Sequence, residues 1–148
     1  MKNTILLADG DPAVRRMLSR LLAEENYFVV SAQDGQEMLN AWNHSPVDLV
    51  LLDLDVPEKN GWELFQQFNA KHPAVPIIVV TSQPNQIFPA LASGVGALME
   101  KPLDLLKLLR VIRDLVDEPS ETRRARMEGR PVEFRYLPPK QNESVEVR

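Results

Sequence analysis

Four short strand-like runs in this chain, apolar but for Glu100, each stop at a residue that can do chemistry. Ile5-Leu6-Leu7-Ala8 stops at Asp9, Val50-Leu51-Leu52 at Asp53, Ile77-Ile78-Val79-Val80 at Thr81, and Ala97-Leu98-Met99-Glu100 at Lys101. Apolar runs without polar alternation are what strands covered on both faces look like, and strands of that kind belong to parallel sheets flanked by helices. Open parallel sheets bind their ligands beyond the carboxyl ends of the strands. The polar residues at the run ends are therefore expected to share one site. Carboxylates, a hydroxyl and an ammonium suit a phosphoryl group and a divalent cation, the acids holding the metal while the hydroxyl and ammonium hold phosphoryl oxygens.

The segments between the runs read as helices. Asp11-Pro12 supplies an N-cap and a proline at the first helical position, and Val14, Met17, Leu18, Leu21 and Leu22 follow at helical spacing. Tyr27 to Ser31 reads as a second strand, Met38, Leu39 and Trp42 as one face of a second helix, and Val47 to Asp53 as the third strand. The Asn60-Gly61 turn opens a helix bearing Trp62, Leu64, Phe65 and Phe68. Trp42 and Trp62 read as packing. Pro84 and Pro89 leave room only for a short fourth helix. The fifth runs from Leu103 to about Val116 with Leu105, Leu106, Leu109, Ile112 and Leu115 on a broad apolar face. Five alternations of this kind predict an α/β fold with a doubly wound, mostly parallel sheet.

At 148 residues, 44% of them apolar, the chain reads as one domain with a real core and room for a short appendage, and two domains would be cramped. The absence of cysteine excludes a disulfide framework, a thiol nucleophile and a zinc-thiolate centre, and it fits a reducing compartment. No apolar stretch approaches the roughly 18 residues of a membrane span, so the chain reads as cytoplasmic. Residues 1–118 are acidic, with 10 Lys and Arg against 16 Asp and Glu, whereas 119–148 carry 7 against 5. The tail is expected to hold a short helix and one strand. Arg123-Arg124-Ala125-Arg126 reads as a solvated helix face, and no direct DNA binding is expected. Val132, Phe134 and Tyr136 alternate with charged residues, which predicts a half-buried strand packed on the body or on a second subunit.

With Asp9, Asp53, Thr81 and Lys101-Pro102 in this order, residues 3 to about 118 resemble the receiver domain of two-component response regulators. The strings that carry the likeness are ILLADGDPAVRRML, DLVLLDLDVPEKNGWEL, IIVVTS and GALMEKPLD. The resemblance implies a flavodoxin-like sheet of five parallel strands in order 2-1-3-4-5, a receiver over 1–118 and a tail over 119–148. It implies that Asp53 accepts a phosphoryl group from a histidine kinase or phosphotransfer protein, with Thr81 and Lys101 assisting. Mg2+ would be held by Asp9, Asp53 and the backbone carbonyl of Asp55, and Lys101-Pro102 would be cis. The implied role is a regulatory phosphoacceptor rather than an enzyme. Its output would be a contact with a downstream protein, and a homodimer is left open. His44 and His72 fall at the opposite edge and are expected to bind neither metal nor phosphate.

The chain departs from that pattern at several positions. Gly10 stands where the family has a second acid, which weakens the expected Mg2+ site, and the Asp55 side chain is either a replacement carboxylate or a solvated loop acid. Leu98 replaces an aromatic residue that many receivers carry. Thr81 and Lys101 lie 20 apart, about two fewer than the family leads us to expect. These departures keep a second class of reading open, a pseudo-receiver that binds partners without phosphorylation. Asp53-Leu54-Asp55-Val56 also resembles the signature of haloacid-dehalogenase-like phosphatases, though that signature normally follows the first strand.

Overall fold

A computed structural model describes residues 2–57, 60–128 and 134–140. The elements in chain order are β1 (Thr4–Ala8), α1 (Pro12–Glu24), β2 (Phe28–Ala32), α2 (Gly35–Trp42), β3 (Leu49–Asp53), α3 (Gly61–Lys71), β4 (Ile77–Thr81), α4 (Ile87–Ser93), β5 (Ala97–Glu100), α5 (Leu105–Val116), α6 (Ser120–Met127) and β6 (Arg135–Leu137). All pairings are parallel, in the order β2-β1-β3-β4-β5-β6. Five strands follow the expected order; the sixth, from the tail, corrects the five-stranded expectation.

The apolar runs are explained by two cores, one on each face of the sheet. Leu6, Ala8, Val50, Leu52, Val79 and Leu98 point to the side of α2, α3 and α4, while Ile5, Leu7, Leu49, Leu51, Ile78 and Met99 point to the side of α1 and α5. Every residue of β3 and β4 is buried, so neither strand has a solvent face that would call for alternation. Trp42 packs edge-on against Phe68 and lies 3.9 Å from the His72 ring, as the packing reading requires. His72 ends α3, and His44 lies with Nδ1 2.9 Å from the Asn40 carbonyl.

The tail is tied to the body at two places. Arg123 reaches back from α6 to the carbonyls of Ala74, Leu115 and Val116 at 3.0, 3.2 and 3.3 Å. The solvated reading of the arginine cluster therefore fails at Arg123, because the carbonyls at the end of α5 attract a guanidinium. Farther on, Leu98 pairs with Tyr136 and Met99 with Leu137. Phe134 packs on the α4 side and Leu137 on the α5 side, whereas Tyr136 remains 38% exposed. The expected packing thus holds for Phe134 but not for Tyr136, whose hydroxyl instead donates to the Glu100 carboxylate. Val132 lies outside the described residues.

Gly61 opens α3 for a steric reason. A Cβ there would lie 2.5 Å from both Cα and O of Leu54, the residue after Asp53. Backbone against backbone cannot yield as a side chain can. Gly61→Ala is expected to destabilise the fold by about 3 kcal/mol, the upper range for overpacking, read as a lower urea midpoint at unchanged slope.

Candidate functional site

Parallel pairing delivers the strand ends to one edge of the sheet. Ala8 is in register with Leu52, Asp53 with Val80, and Thr81 with Glu100. The ladder continues past the strands: Asp9 N–H donates to Ala32 O at 3.1 Å, Leu54 N–H to Val80 O at 2.9 Å, and Lys101 N–H to Thr81 O at 2.9 Å. Backbone bonds therefore fix the Cα positions of all four residues before any side chain contributes.

Asp9, Asp53 and Thr81 are the buried polar residues of the described chain, at 3%, 3% and 0% exposure. Each is satisfied locally. Asp53 Oδ1 accepts the Asp55 N–H at 2.8 Å, and Oδ2 lies 2.5 Å from Lys101 Nζ. Asp9 Oδ1 accepts the Asp11 N–H at 2.9 Å, and Thr81 Oγ1 accepts the Gln83 N–H at 2.9 Å, which leaves the threonine proton free to donate elsewhere. Asp11 caps α1 through Ala13 N–H, as expected of that position. The Lys101-Pro102 peptide is cis.

The electrostatics follow from burying two acids with one base. Burial raises the Asp9 pKa, the Asp11 N–H opposes it, and the Asp53 charge adds to the rise. Burial alone would lower Lys101, but its hydrogen bond to Asp53 and the charges of Asp53, Asp9 and Asp55 outweigh that and leave its pKa raised.

Asp55 behaves differently from its neighbours. Its side chain is exposed and accepts from Ser82 Oγ at 3.0 Å and Gln83 Nε2 at 2.6 Å. Neither Ser82 nor Gln83 was expected at the site, although both directly follow Thr81 and so had to lie on the same rim. Arg15 is a further addition, its Nη1 donating to the Asp9 carbonyl at 2.7 Å. It sits one helical turn from the cap residue Asp11, a spacing visible in the sequence. Trp62 packs edge-on to Phe65 while its Nε1 donates to Gln86 at 2.8 Å, linking α3 to the start of α4.

Gly10 is closely covered. A Cβ on it would lie 2.8 Å from Pro57 Cδ and 3.2 Å from Cγ, so the proline ring fills the place of a second acid's stem. Among the described residues no group of three His, Cys, Asp or Glu side chains is disposed to hold a metal. The donors present are nonetheless hard oxygens: two buried carboxylates and the backbone of the β3–α3 loop. That set fits magnesium, which keeps several waters and commonly takes one or two carboxylates plus substrate phosphate.

The chain is similar to known proteins over most of its length. A family model described as the response regulator receiver domain matches residues 5–113. Response regulator RR06 of Streptococcus pneumoniae is 34% identical over 117 residues, covering 76% of this chain and 52% of that protein. Transcriptional regulatory protein GlrR of Escherichia coli is also 34% identical over 117 residues, which are 77% of this chain and 26% of GlrR. The chain thus spans about half or less of the length of these curated relatives. A CheY-like receiver from Methanospirillum hungatei superposes with a TM-score of 0.76 at 28% identity, covering 82% of this chain and 98% of that one. TrrA of Thermotoga maritima, solved in complex with Mg(2+)-BeF, gives 0.71 at 27% identity over 78% of this chain and 99% of its own.

The raised Asp9 pKa has a signed consequence for stability. The folded state holds the Asp9 proton more tightly than the unfolded state does. Its ionisation therefore opposes folding, fully so above the raised pKa and not at all below the unfolded value of 3.8. Asp9→Asn keeps the acceptor for Asp11 N–H and removes the charge. In chelator, the variant is expected to be more stable than the parent at pH 8, with the difference shrinking toward pH 4; urea melts across that range measure it.

Proposed function

The chain belongs to the response regulator receiver family, and from that premise we propose that Asp53 is its phosphoacceptor. We take 1–118 as the receiver unit and 119–148 as its tail. The observation that carries the reading is that the buried polar residues of the described chain, Asp9, Asp53 and Thr81, meet Lys101 at one strand edge. Family membership takes the place of the phosphatase reading of Asp53-Leu54-Asp55-Val56. The role is that of a regulatory acceptor, with a histidine kinase or phosphotransfer protein as donor and a protein contact as output.

In this mechanism an Asp53 oxygen attacks phosphorus, the bond from phosphorus to the donor's imidazole nitrogen breaks, and that nitrogen keeps the electron pair. A carboxylate is a poor nucleophile toward an anion unless the charge between them is neutralised. Lys101 supplies part of that neutralisation by leaving Asp53 Oδ2 for a phosphoryl oxygen, as a point charge on a flexible stem. Thr81 donates its free hydroxyl proton to another phosphoryl oxygen. Asp9, Asp53 and the Asp55 carbonyl would hold magnesium, which when bound screens the acids from the incoming group. Asp55 through its side chain serves the loop instead, held by Ser82 and Gln83.

Gly10 beneath Pro57 favours a second reading, a phosphorylation-independent interaction module, because it removes an acid from the metal's surroundings. Intact mass after incubation with a small phosphodonor and magnesium separates the two. The acceptor reading expects one acid-stable, base-labile phosphoryl group, abolished in Asp53→Asn. An unchanged mass, or phosphate on His44 or His72, would sink it.

The cover over Gly10 also predicts how the metal site can be rebuilt. Gly10→Asp alone is expected to cost about 1–3 kcal/mol through overpacking, with little gain in magnesium affinity. Combined with Pro57→Ala, the added carboxylate should bind magnesium more tightly than Pro57→Ala does, measured by calorimetric titration.

A further inference from the structure

The tail strand grips β5 on both sides of the lysine that reaches Asp53. Just before Lys101, the Glu100 carboxylate takes the hydroxyl of Tyr136. Just after it, the Pro102 carbonyl accepts the N–H of Lys140 at 2.8 Å. Upstream, Ala97, Leu98 and Met99 are in register with Arg135, Tyr136 and Leu137. From the other side, β4 holds Lys101 through its N–H on Thr81 O at 2.9 Å. The segment 134–140 therefore completes a clamp on the residue whose Nζ lies 2.5 Å from Asp53 Oδ2.

The grip is local and separable from the rest of the tail's attachment. Arg123 fixes α6 to the ends of α5 and the α3–β4 loop independently of β6. The strand itself is three residues long, with Phe134 and Leu137 only partly buried and Tyr136 38% exposed. An element held by so few buried side chains opens at low cost, unlike the core strands β3 and β4.

Resting on the reading of Asp53 as phosphoacceptor, we propose that segment 134–140 is an internal regulator of that site: docked, it holds Lys101 on the unmodified carboxylate; when Asp53 is loaded, it loosens. At 2.5 Å there is no space for a phosphoryl group between Nζ and Oδ2, so loading must displace the ammonium. In the proposal the Lys101 backbone shifts with its ammonium, and a chain tied to the tail at Glu100 and Pro102 then disturbs those contacts. Linkage then makes the effect mutual, so a docked tail disfavours loading by the same factor by which loading disfavours docking.

The test uses the full chain with magnesium and beryllofluoride as the phosphoryl mimic, following bound fluoride by fluorine NMR and the amides of 135–137 by hydrogen exchange. Loading is expected to speed exchange of those amides by about five- to tenfold, within the usual range of coupling between sites. Tyr136→Phe keeps the ring but drops the hydroxyl on Glu100. It should raise exchange at 135–137 without fluoride and bind beryllofluoride several-fold more tightly. Bound fluoride with unchanged exchange at 135–137 would mean that the lysine stem swings alone, and would overturn the coupling while leaving Asp53 as acceptor. Absence of any bound-fluoride signal would overturn the acceptor reading, and the coupling with it.

Discussion

The contact between Lys101 and Asp53 is what makes this arrangement of strands tolerable. The core is apolar throughout except at one edge, where two acids lie almost wholly out of solvent. An unpaired charge in such a place costs several kcal/mol. One ammonium, itself 28% exposed, compensates Asp53 directly and Asp9 at a distance, while backbone N–H groups donate to Oδ1 of each acid. The compensation is incomplete, as the raised pKa of Asp9 records. The same imbalance that strains the folded state in the absence of metal provides the attraction for a cation, so stability and readiness to bind draw on one source.

Most of the site was legible because it depends on strand ends rather than on long-range contacts. A continuous apolar run names a strand buried on both faces, and the polar residue that stops it names the edge where the strand surfaces. Asp9, Asp53, Thr81 and Lys101 could each be placed that way. Residues that depend on where loops fold back could not. The Asp55 side chain is turned to Ser82 and Gln83 by a loop geometry that no periodicity encodes. The cover over Gly10 depends on Pro57, which lies 47 residues away in sequence but on the adjacent strand's loop.

The tail was the least legible part, for the same reason. Alternation around Phe134 and Tyr136 indicated a strand but carried no information on its partner, and three residues are too few to define a register from pattern alone. The role of Arg123 was equally hidden. An arginine within a basic cluster looks solvated unless one knows that the carboxyl end of α5 presents its carbonyls nearby. The fold class was readable from local signals and the order of the first five strands from the family resemblance; the sixth strand is a property of the assembled surface.

Parallel pairing of β6 has a consequence for where anything joined to this chain emerges. Receiver elements β1 to α5 finish at Val116, at the end of the sheet opposite Asp53. A strand running the same way as β5 carries the backbone back across the molecule, and Lys140 leaves the described fold bonded to Pro102, one residue from Lys101. An attachment made through the tail is thus moored at the rim of the acid pocket rather than at its base, and a pull or twist on that attachment would be felt first by the backbone next to Lys101.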